Sequence, residues 1–332
     1  MTRKKHSVGI RCAISFSLTV LFVWSANSDG AMAASWGIQR TNTSFSASWN
    51  NQVLWTFHFA HDSAKPFFHP VSPPNGPVLT QNAPPDHPWH HGLWFSWKYI
   101  NKVNYWEENR RTKRAEGLTE WKDVKLRKTE DGVEISLKLT YHPPNQSALL
   151  EESRSMKVYL PLAKELYRID WCSRFKVGDK PIVLDRTPLP GEPHGKFYGG
   201  YAGLSVRFTG AMKDIVVTDV NGNISLSSGR YRGRSPAMDY SGRINGQNAG
   251  IAILDHPSNP NAPTPWYVIC TNRMHYFSPA IICYGPMKLS AGAEFMLRYR
   301  IVVHNARWTP EKLRQELKLF TSSRGKTSVP SH

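Results

Sequence analysis

The chain has 332 residues, of which 40% are hydrophobic, and a formal net charge of +17. This length suits one large domain or two small ones. The charge would attract an anionic polysaccharide, nucleic acid or membrane surface. However, no long Lys/Arg block interleaved with aromatic residues supports nucleic-acid binding, and a scattered basic surface that keeps the protein soluble explains the charge equally well.

The first 33 residues have the form of a secretory signal peptide. Basic residues at 3, 4, 5 and 11 precede or flank an apolar stretch from Cys12 to Trp24, and Ala31-Met32-Ala33 is an A-x-A cleavage site. The mature chain is expected to begin near Ala34 with a charge of +14, because four basic residues and one acidic residue are lost. We expect an exported protein, periplasmic or extracellular, without membrane insertion after signal removal, since no later segment has the roughly 18 apolar residues of a span.

Residues 34–320 are predicted to form a single all-β domain. Short segments with period-2 alternation or β-branched and aromatic residues recur between Gly, Asn and Pro turn signals. The pattern predicts a large antiparallel β-sandwich, of which the galactose-mutarotase-like supersandwich is one form. The predicted strands are 92–100, 132–141, 154–160, 166–175, 203–208, 214–220, 250–254, 266–270 and 294–303.

One C-terminal helix is predicted after the last strand. Thr309 is its N-cap, Pro310 occupies the first helical position, and Leu313 and Leu317 follow at helical spacing. Residues 321–332 are polar and basic, and we expect a disordered tail there.

Three cysteines follow the signal, and this odd number excludes a complete disulfide framework. Cys270 and Cys283 lie in neighbouring apolar runs that could pair as strands. Either one bridge between these two or three buried thiols, including Cys172, fits the sequence.

The segment 81–98 is the strongest indication of a functional site, with three histidines, one aspartate, three tryptophans and three prolines. The prolines stiffen the loop, and stiff polar constellations suit binding and catalysis. If a strand begins after Pro88, His90 and Trp94 share one face with a gap at Gly92, where a sugar can stack on Trp94, while His91 faces the core. The alternative is that Trp94 is buried and His90 caps a turn.

Asp86, His87 and His90 also belong to the residue types that bind metals. Their spacing matches no strong metal motif, so the sequence requires no cofactor. A divalent metal held by His87 and His90 remains an alternative.

A second Asp-His-Pro triplet occurs at Asp255-His256-Pro257 and leads to Asn259 and Trp266. An aspartate beside a histidine can set its tautomer and raise its basicity, as a general base requires. The two triplets are predicted to converge at one end of the sandwich and form one pocket. In the alternative, each aspartate only caps a proline turn.

Two charged residues stand out among apolar neighbours. Glu152 follows an apolar run, and Arg207 alternates with Val206 and Phe208, where its guanidinium would clamp a carboxylate or sugar hydroxyls or else pair with a structural carboxylate. The predicted catalytic residues are therefore Asp86, His87, His90, Asp255 and His256. The predicted substrate-binding residues are Trp94, Glu152, Arg207, Asn259 and Trp266.

The chain resembles a bacterial family of unknown function that is often labelled "methane oxygenase PmoA". The likeness runs from about Pro66 to His304 and is carried by the motifs at 86–95, 104–106, 239–242 and 250–260. The membrane subunit of that name is a bundle of membrane helices, which this sequence lacks after its signal. The sequence departs from the commoner pattern at His91, where many members have arginine, and at 199–203, where many have Lys-Glu-Gly.

These observations predict an exported carbohydrate-active protein, with a small or oligomeric saccharide as partner. An enzyme of hydrolase, lyase or epimerase type would use His87, His90 and His256 as acid/base groups, oriented by Asp86 and Asp255. A carbohydrate-binding protein without catalysis is the alternative from another class. A metal-dependent oxidoreductase, as the family label suggests, is the third possibility, and the oligomeric state stays open.

Overall fold

The computed structural model describes residues 35–322. The predicted signal peptide and most of the predicted tail lie outside these residues. The strands are β1 (Trp36–Arg40), β2 (Ser44–Trp49), β3 (Gln52–His58), β4 (Phe67–Val71), β5 (Leu93–Ser96), β6 (Tyr99–Ile100), β7 (Val103–Asn104), β8 (Leu118–Thr129), β9 (Gly132–His142), β10 (Leu150–Tyr159), β11 (Leu166–Val177), β12 (Ile182–Asp185), β13 (Gly203–Arg207), β14 (Lys213–Asp219), β15 (Arg230–Arg234), β16 (Ala237–Ile244), β17 (Gln247–Asp255), β18 (Pro265–Thr271), β19 (Met274–Pro279), β20 (Met287–Leu289) and β21 (Glu294–His304), followed by the helix α1 (Pro310–Ser322).

The strands form two large antiparallel sheets and one small one. The first sheet has nine strands in the order β1-β2-β3-β4-β5-β13-β19-β18-β15, and the second has eight in the order β14-β16-β17-β21-β11-β10-β9-β8. A four-stranded sheet, β20-β12-β6-β7, lies beside them. The predicted all-β antiparallel sandwich with one C-terminal helix is confirmed.

Alternation along the strands divides the side chains between a core and an outer face. Phe95 of β5 packs on Phe175 of β11 with ring centroids 5.7 Å apart, so the two large sheets meet in one hydrophobic core. Trp94 points the other way and joins a second buried cluster with Tyr267 and Tyr276. We call this side the outer face of the nine-stranded sheet.

Helix α1 packs on the eight-stranded sheet, against its edge strand β14 and the neighbouring strands β16 and β17. Its Leu313 and Phe320 pack with Leu254 and Val302 in a third hydrophobic cluster. Thr309 caps the helix, since its Oγ1 accepts a hydrogen bond from the Lys312 amide at 3.4 Å. Residues 321 and 322, predicted as the start of the tail, are helical. The described part of the chain contains no helix long and apolar enough to cross a bilayer.

The three cysteines in the described residues are free thiols. Cys270 lies on β18 opposite His275, whereas Cys283 lies in the turn after β19 and not on a neighbouring strand. The bridge that the sequence left open is therefore absent from this structure.

Candidate functional site

The first Asp-His-Pro loop folds back on itself before β5 begins. The His87 amide donates to the Pro84 carbonyl and the His90 amide to the His87 carbonyl, both at 3.0 Å. Gly92 then adopts a φ of +75°, and a Cβ there would lie 2.4 Å from the Phe68 carbonyl oxygen. A positive φ and so close an approach favour glycine, which lets the loop turn onto the outer face.

Asp86 is held between Arg207 and His87. Nη2 of Arg207 donates to both carboxylate oxygens, at 3.0 and 2.8 Å, and Nδ1 of His87 donates to Oδ2 at 2.9 Å. The side chain of Arg207 is 3% exposed, while those of Asp86 and His87 are 37% and 33% exposed. The Asp86 cluster, which we define as Asp86, His87, His90 and Arg207, therefore presents an oriented imidazole to solvent.

The electrostatics of the cluster fix two charge states. Desolvation acts to raise the pKa of Asp86, but hydrogen bonds from Arg207 and His87 outweigh it and hold that pKa below its ordinary value. Burial lowers the pKa of His90 well below its ordinary value, and repulsion from Arg207, and from the ring of His87 whenever that ring is protonated, acts in the same direction. At neutral pH the cluster thus combines an ionised Asp86 with a neutral His90.

Trp94 is fully buried and offers no stacking surface. The rings of His90 and Trp106 lie over it, with centroids 5.0 and 5.7 Å away. Trp94 is therefore buried, as the alternative from the sequence has it, and this structure gives no support to its predicted role in substrate binding. The half-buried Trp89, whose ring centroid lies 5.3 Å from that of His87, is the indole that borders the exposed part of the cluster.

His91 lies on the outer face and not in the core as alternation predicts, because Gly92 interrupts the extended backbone before β5. Its ring stacks on Phe67 at 4.7 Å, and Nε2 lies 2.9 Å from Oε1 of Glu108. The same oxygen lies 2.9 Å from Nζ of Lys65, which is 1% exposed. Despite desolvation, the charges and hydrogen bonds of Lys65 and His91 lower the pKa of Glu108 to about 2.

A second, partly buried ion pair lies near Trp106, whose ring packs on that of Tyr201. Lys98 contacts Glu107, and the Tyr201 hydroxyl donates to Oε1 of Glu107 at 2.8 Å. Sequence reasoning missed Lys65, Lys98 and both glutamates. The pair Glu107-Glu108, directly after the Asn-Tyr-Trp motif, was the available signal.

The two Asp-His-Pro loops do not form one pocket. Arg207 donates to the Arg273 carbonyl in the β18–β19 turn, while Asp255 accepts from the Thr264 amide just before β18. The seven-residue strand β18 separates these points, which places the loops roughly 20 Å apart at opposite ends of the sheet. The ring of His256 packs instead on Phe320 of α1, at 5.4 Å.

Asp255, Asn259 and Trp266 have structural contacts. Nδ2 of Asn259 donates to Asp255 and to the Arg298 carbonyl, both at 2.7 Å, and its Oδ1 accepts from the Arg298 amide. Burial raises the pKa of Asp255 to about 6, although the hydrogen bonds from Asn259 and Thr264 act against this. Trp266 is buried, with Nε1 donating to the Ser235 carbonyl. These contacts fasten the loop to β21, so none of the three residues faces the Asp86 cluster.

Glu152 lies inside the sandwich and not at a substrate site. It accepts hydrogen bonds from Nε and Nη2 of Arg154 at 2.6 and 2.9 Å and from the Ser173 hydroxyl at 2.6 Å, and both charged side chains are fully buried. The guanidinium of Arg154 packs on the rings of Phe95 and Trp171. The pair is therefore a core element, because an unpaired charge there would be prohibitively costly.

The described residues contain no group of three or more His, Cys, Asp or Glu side chains placed to hold a metal ion. They therefore offer no ligand set for the alternative in which His87 and His90 bind a divalent metal. His87 and His90 stack with ring centroids 4.7 Å apart, and one nitrogen of each already faces Asp86 or Arg207.

Two cavities lie elsewhere, beside the start of α1. One of about 430 Å³ is lined by Asp214, Arg243 and Arg307, and one of about 180 Å³ includes His304 and Trp308. His304 pairs with the buried Asp239 and stacks on Trp308, so its ring is committed to packing. We place the candidate site at the Asp86 cluster, where a carboxylate orients an imidazole that stays in contact with solvent.

Comparison with known proteins assigns a family over most of this fold. A family described as a family of unknown function, DUF6807, matches residues 45–318. The chain belongs to the DUF6807 family. That description contains no methane oxygenase, so the label suggested by the sequence resemblance is not confirmed.

Comparison of structures finds a galactose mutarotase related enzyme from Lactobacillus acidophilus. The two chains are 10% identical, with 81% of this chain and 97% of the other covered, and the TM-score is 0.37. A TM-score this low carries no argument about function. No curated protein matches the DUF6807 chain.

Proposed function

We propose that this DUF6807 protein is an exported carbohydrate-active enzyme, periplasmic or extracellular, that transfers a proton at a saccharide through His87. One observation carries the proposal: Asp86 fixes the Nδ1–H tautomer of a solvent-accessible His87 at 2.9 Å. With Nδ1 bonded to the carboxylate, Nε2 is left as the basic atom, which is the arrangement of a general base.

The neighbours of His87 support a saccharide as substrate. Trp89 provides a half-buried ring on which a sugar can stack, and the buried, neutral His90 packs against the ring of His87 and helps to position it. The guanidinium of Arg207 donates hydrogen bonds to Asp86. We therefore assign Arg207 the role of positioning this carboxylate and not that of a substrate clamp. Proton abstraction or donation by His87 suits a hydrolase, a lyase or an epimerase.

A carbohydrate-binding protein without catalysis is the second candidate. It is favoured by the buried state of His90 and His91, whose rings are engaged by Arg207, Asn82 and Glu108. In that case the sugar would contact Trp89 and the exposed rings of Phe197, Tyr198 and Tyr284, without a reaction at His87.

Incubation of the purified protein with a panel of oligosaccharides, with and without a chelator, distinguishes the candidates. We expect product formation that survives the chelator and is lost in His87→Asn. Saturable binding without product would favour the binding protein. Activity that requires a stoichiometric transition metal would contradict the proposal and favour the metal-dependent oxidoreductase.

A further inference from the structure

Three arginines line the free edge of the nine-stranded sheet. Within residues 35–322, strand β15 pairs only with β18, and its sequence Arg-Tyr-Arg-Gly-Arg places Arg230, Arg232 and Arg234 on one side. Tyr231 packs against the main core, so alternation directs the three arginines to the outer face. We call these three residues the arginine row.

Each guanidinium of the row lies over an aromatic ring. Arg230 lies 4.9 Å from the ring centroid of Phe197, Arg232 lies 4.2 Å from that of Tyr267, and Arg234 lies 5.5 Å from that of Tyr284. Stacking of this kind holds the cations in place without neutralising them.

The row has no acidic partner within the described residues at ion-pairing distance. Arg232 donates to the Phe197 and Gly199 carbonyls, and Arg234 donates to the Asn261 and Pro263 carbonyls. Among the described residues, the Arg230 guanidinium donates to the Ser228 carbonyl at 3.5 Å and lies near the Tyr267 hydroxyl, while its buried Nε has no hydrogen-bond partner. Three cationic charges are therefore available to an anionic ligand.

Exposed aromatic rings accompany these charges. Phe197 is 63% exposed, Tyr284 44% and Tyr198 41%, although large apolar side chains of this kind are usually covered. Rings for stacking beside guanidinium groups for carboxylates or sulfates are the features that an acidic sugar chain requires.

The row shares its face with the Asp86 cluster. Arg207 lies opposite Tyr276, Tyr276 opposite Ile269, and Ile269 opposite Arg230. Three strand spacings separate Arg207 from Arg230, which corresponds to about 14 Å. Tyr276 and Ile269 on this line are buried, so an oligosaccharide that reaches both the row and His87 would cross the surface above them.

We infer that the arginine row is a subsite for an anionic saccharide chain, whose carboxylate or sulfate groups pair with Arg230, Arg232 and Arg234 while its rings stack on Phe197 and Tyr284. The inference rests on the proposed function and specifies its substrate class as an acidic oligosaccharide. The stacked arginines select anionic over neutral saccharides, and the proton transfer takes place at the Asp86 cluster.

Calorimetric titration of the full mature chain tests the inference with four probes of similar length: an oligouronate, a sulfated neutral oligosaccharide, the same neutral oligosaccharide unsulfated, and single-stranded DNA. We expect at least one acidic saccharide to bind about tenfold or more tightly than the neutral one. That preference should weaken as salt is added. The two acidic saccharides distinguish carboxylate from sulfate as the recognised group.

Arg232→Gln and Arg234→Gln should each remove most of the preference for the acidic chain. Arg127→Gln is the matched control, since Arg127 is exposed on β8, the edge strand of the other large sheet. Thermal melting verifies that each variant is folded, and the exposed Arg234 provides a variant with little risk to folding.

The outcomes separate this inference from the proposed function. Equal binding of acidic and neutral chains, or DNA binding that matches the acidic saccharide and depends on the same arginines, overturns the inference. Conversion of neutral sugars with no preference for acidic ones leaves the proposed function in place and removes only the subsite. Binding of the acidic chain through the row without any conversion keeps the subsite and contradicts the enzyme.

Discussion

Oδ2 of Asp86 lies 2.9 Å from Nδ1 of His87, on a carboxylate whose two oxygens also accept hydrogen bonds from the buried Arg207. This relationship makes Asp86 both a part of the fold and an orienting group for His87. Substitutions at the two positions are expected to separate these roles.

Asp86→Asn should lower kcat by at least about 100-fold, because the amide no longer holds the required tautomer of His87. It should also lower the free energy of unfolding by about 2 kcal/mol, since Arg207 loses its anionic partner. His87→Asn should remove activity with a much smaller effect on urea unfolding. Equal stability losses in both variants would contradict this division of roles.

Trp89→Ala should raise KM for an oligosaccharide about fivefold or more with a small change in the melting temperature, because its half-buried ring borders His87. Trp94→Ala should instead destabilise the fold by about 3 to 5 kcal/mol, because that ring is fully buried. Initial-rate kinetics and urea titration of both variants check the contrast. A KM effect confined to Trp94 would contradict the assignment.

Asn259→Ala should lower the free energy of unfolding by about 2 kcal/mol, because three hydrogen bonds fasten its loop to Asp255 and β21. Activity of the folded variant should be unchanged, and His256→Ala should also be fully active. Loss of kcat in His256→Ala would show that the second Asp-His-Pro loop takes part in the reaction.

Glu152→Ala should destabilise the protein by about 3 to 5 kcal/mol or prevent folding, because it leaves Arg154 charged in the core. The double variant Glu152→Leu, Arg154→Met should recover much of this loss, since an apolar pair needs no partner. Denaturant titration of the three proteins gives the comparison. A single variant of normal stability would contradict the buried pair.

Stability should fall as the pH is lowered from about 6.5 towards 4. Burial, with the charges of His58 and His91, lowers the pKa of His69 to about 4, and the pKa of His90 is lowered in the same direction. The unfolded chain takes up these protons below pH 6.5 while the folded chain does not, so acid favours unfolding. Asp255 acts in the opposite sense, because its raised pKa of about 6 binds a proton earlier in the folded state.

Urea unfolding at pH 7 and pH 5 measures this dependence. His69→Gln should reduce the loss between these values by an amount on the order of 1 kcal/mol, after allowance for solvent screening. An unchanged slope in that variant would contradict the lowered pKa of His69.

Local sequence patterns were sufficient to predict the strand-rich sandwich and the C-terminal helix, because alternation and capping are local properties. Each predicted strand has a counterpart, such as β9 for 132–141 and β21 for 294–303, and Thr309 caps the helix as expected. Several strands were not predicted, among them β2 and the edge strand β15, although their sequences alternate. The sequence also identified Asp86 and His87 as candidate catalytic residues, and it left open whether Arg207 binds substrate or pairs with a structural carboxylate.

Which of these residues come into contact depends on long-range packing that local patterns do not contain. Asp86 and Arg207 are 121 positions apart in sequence and joined by hydrogen bonds, whereas the two identical Asp-His-Pro triplets lie at opposite ends of β18. Strand order and register set such distances, and they follow from the packing of the whole chain. For the same reason Glu152 and Trp94, which read locally as substrate contacts, are part of the buried interior.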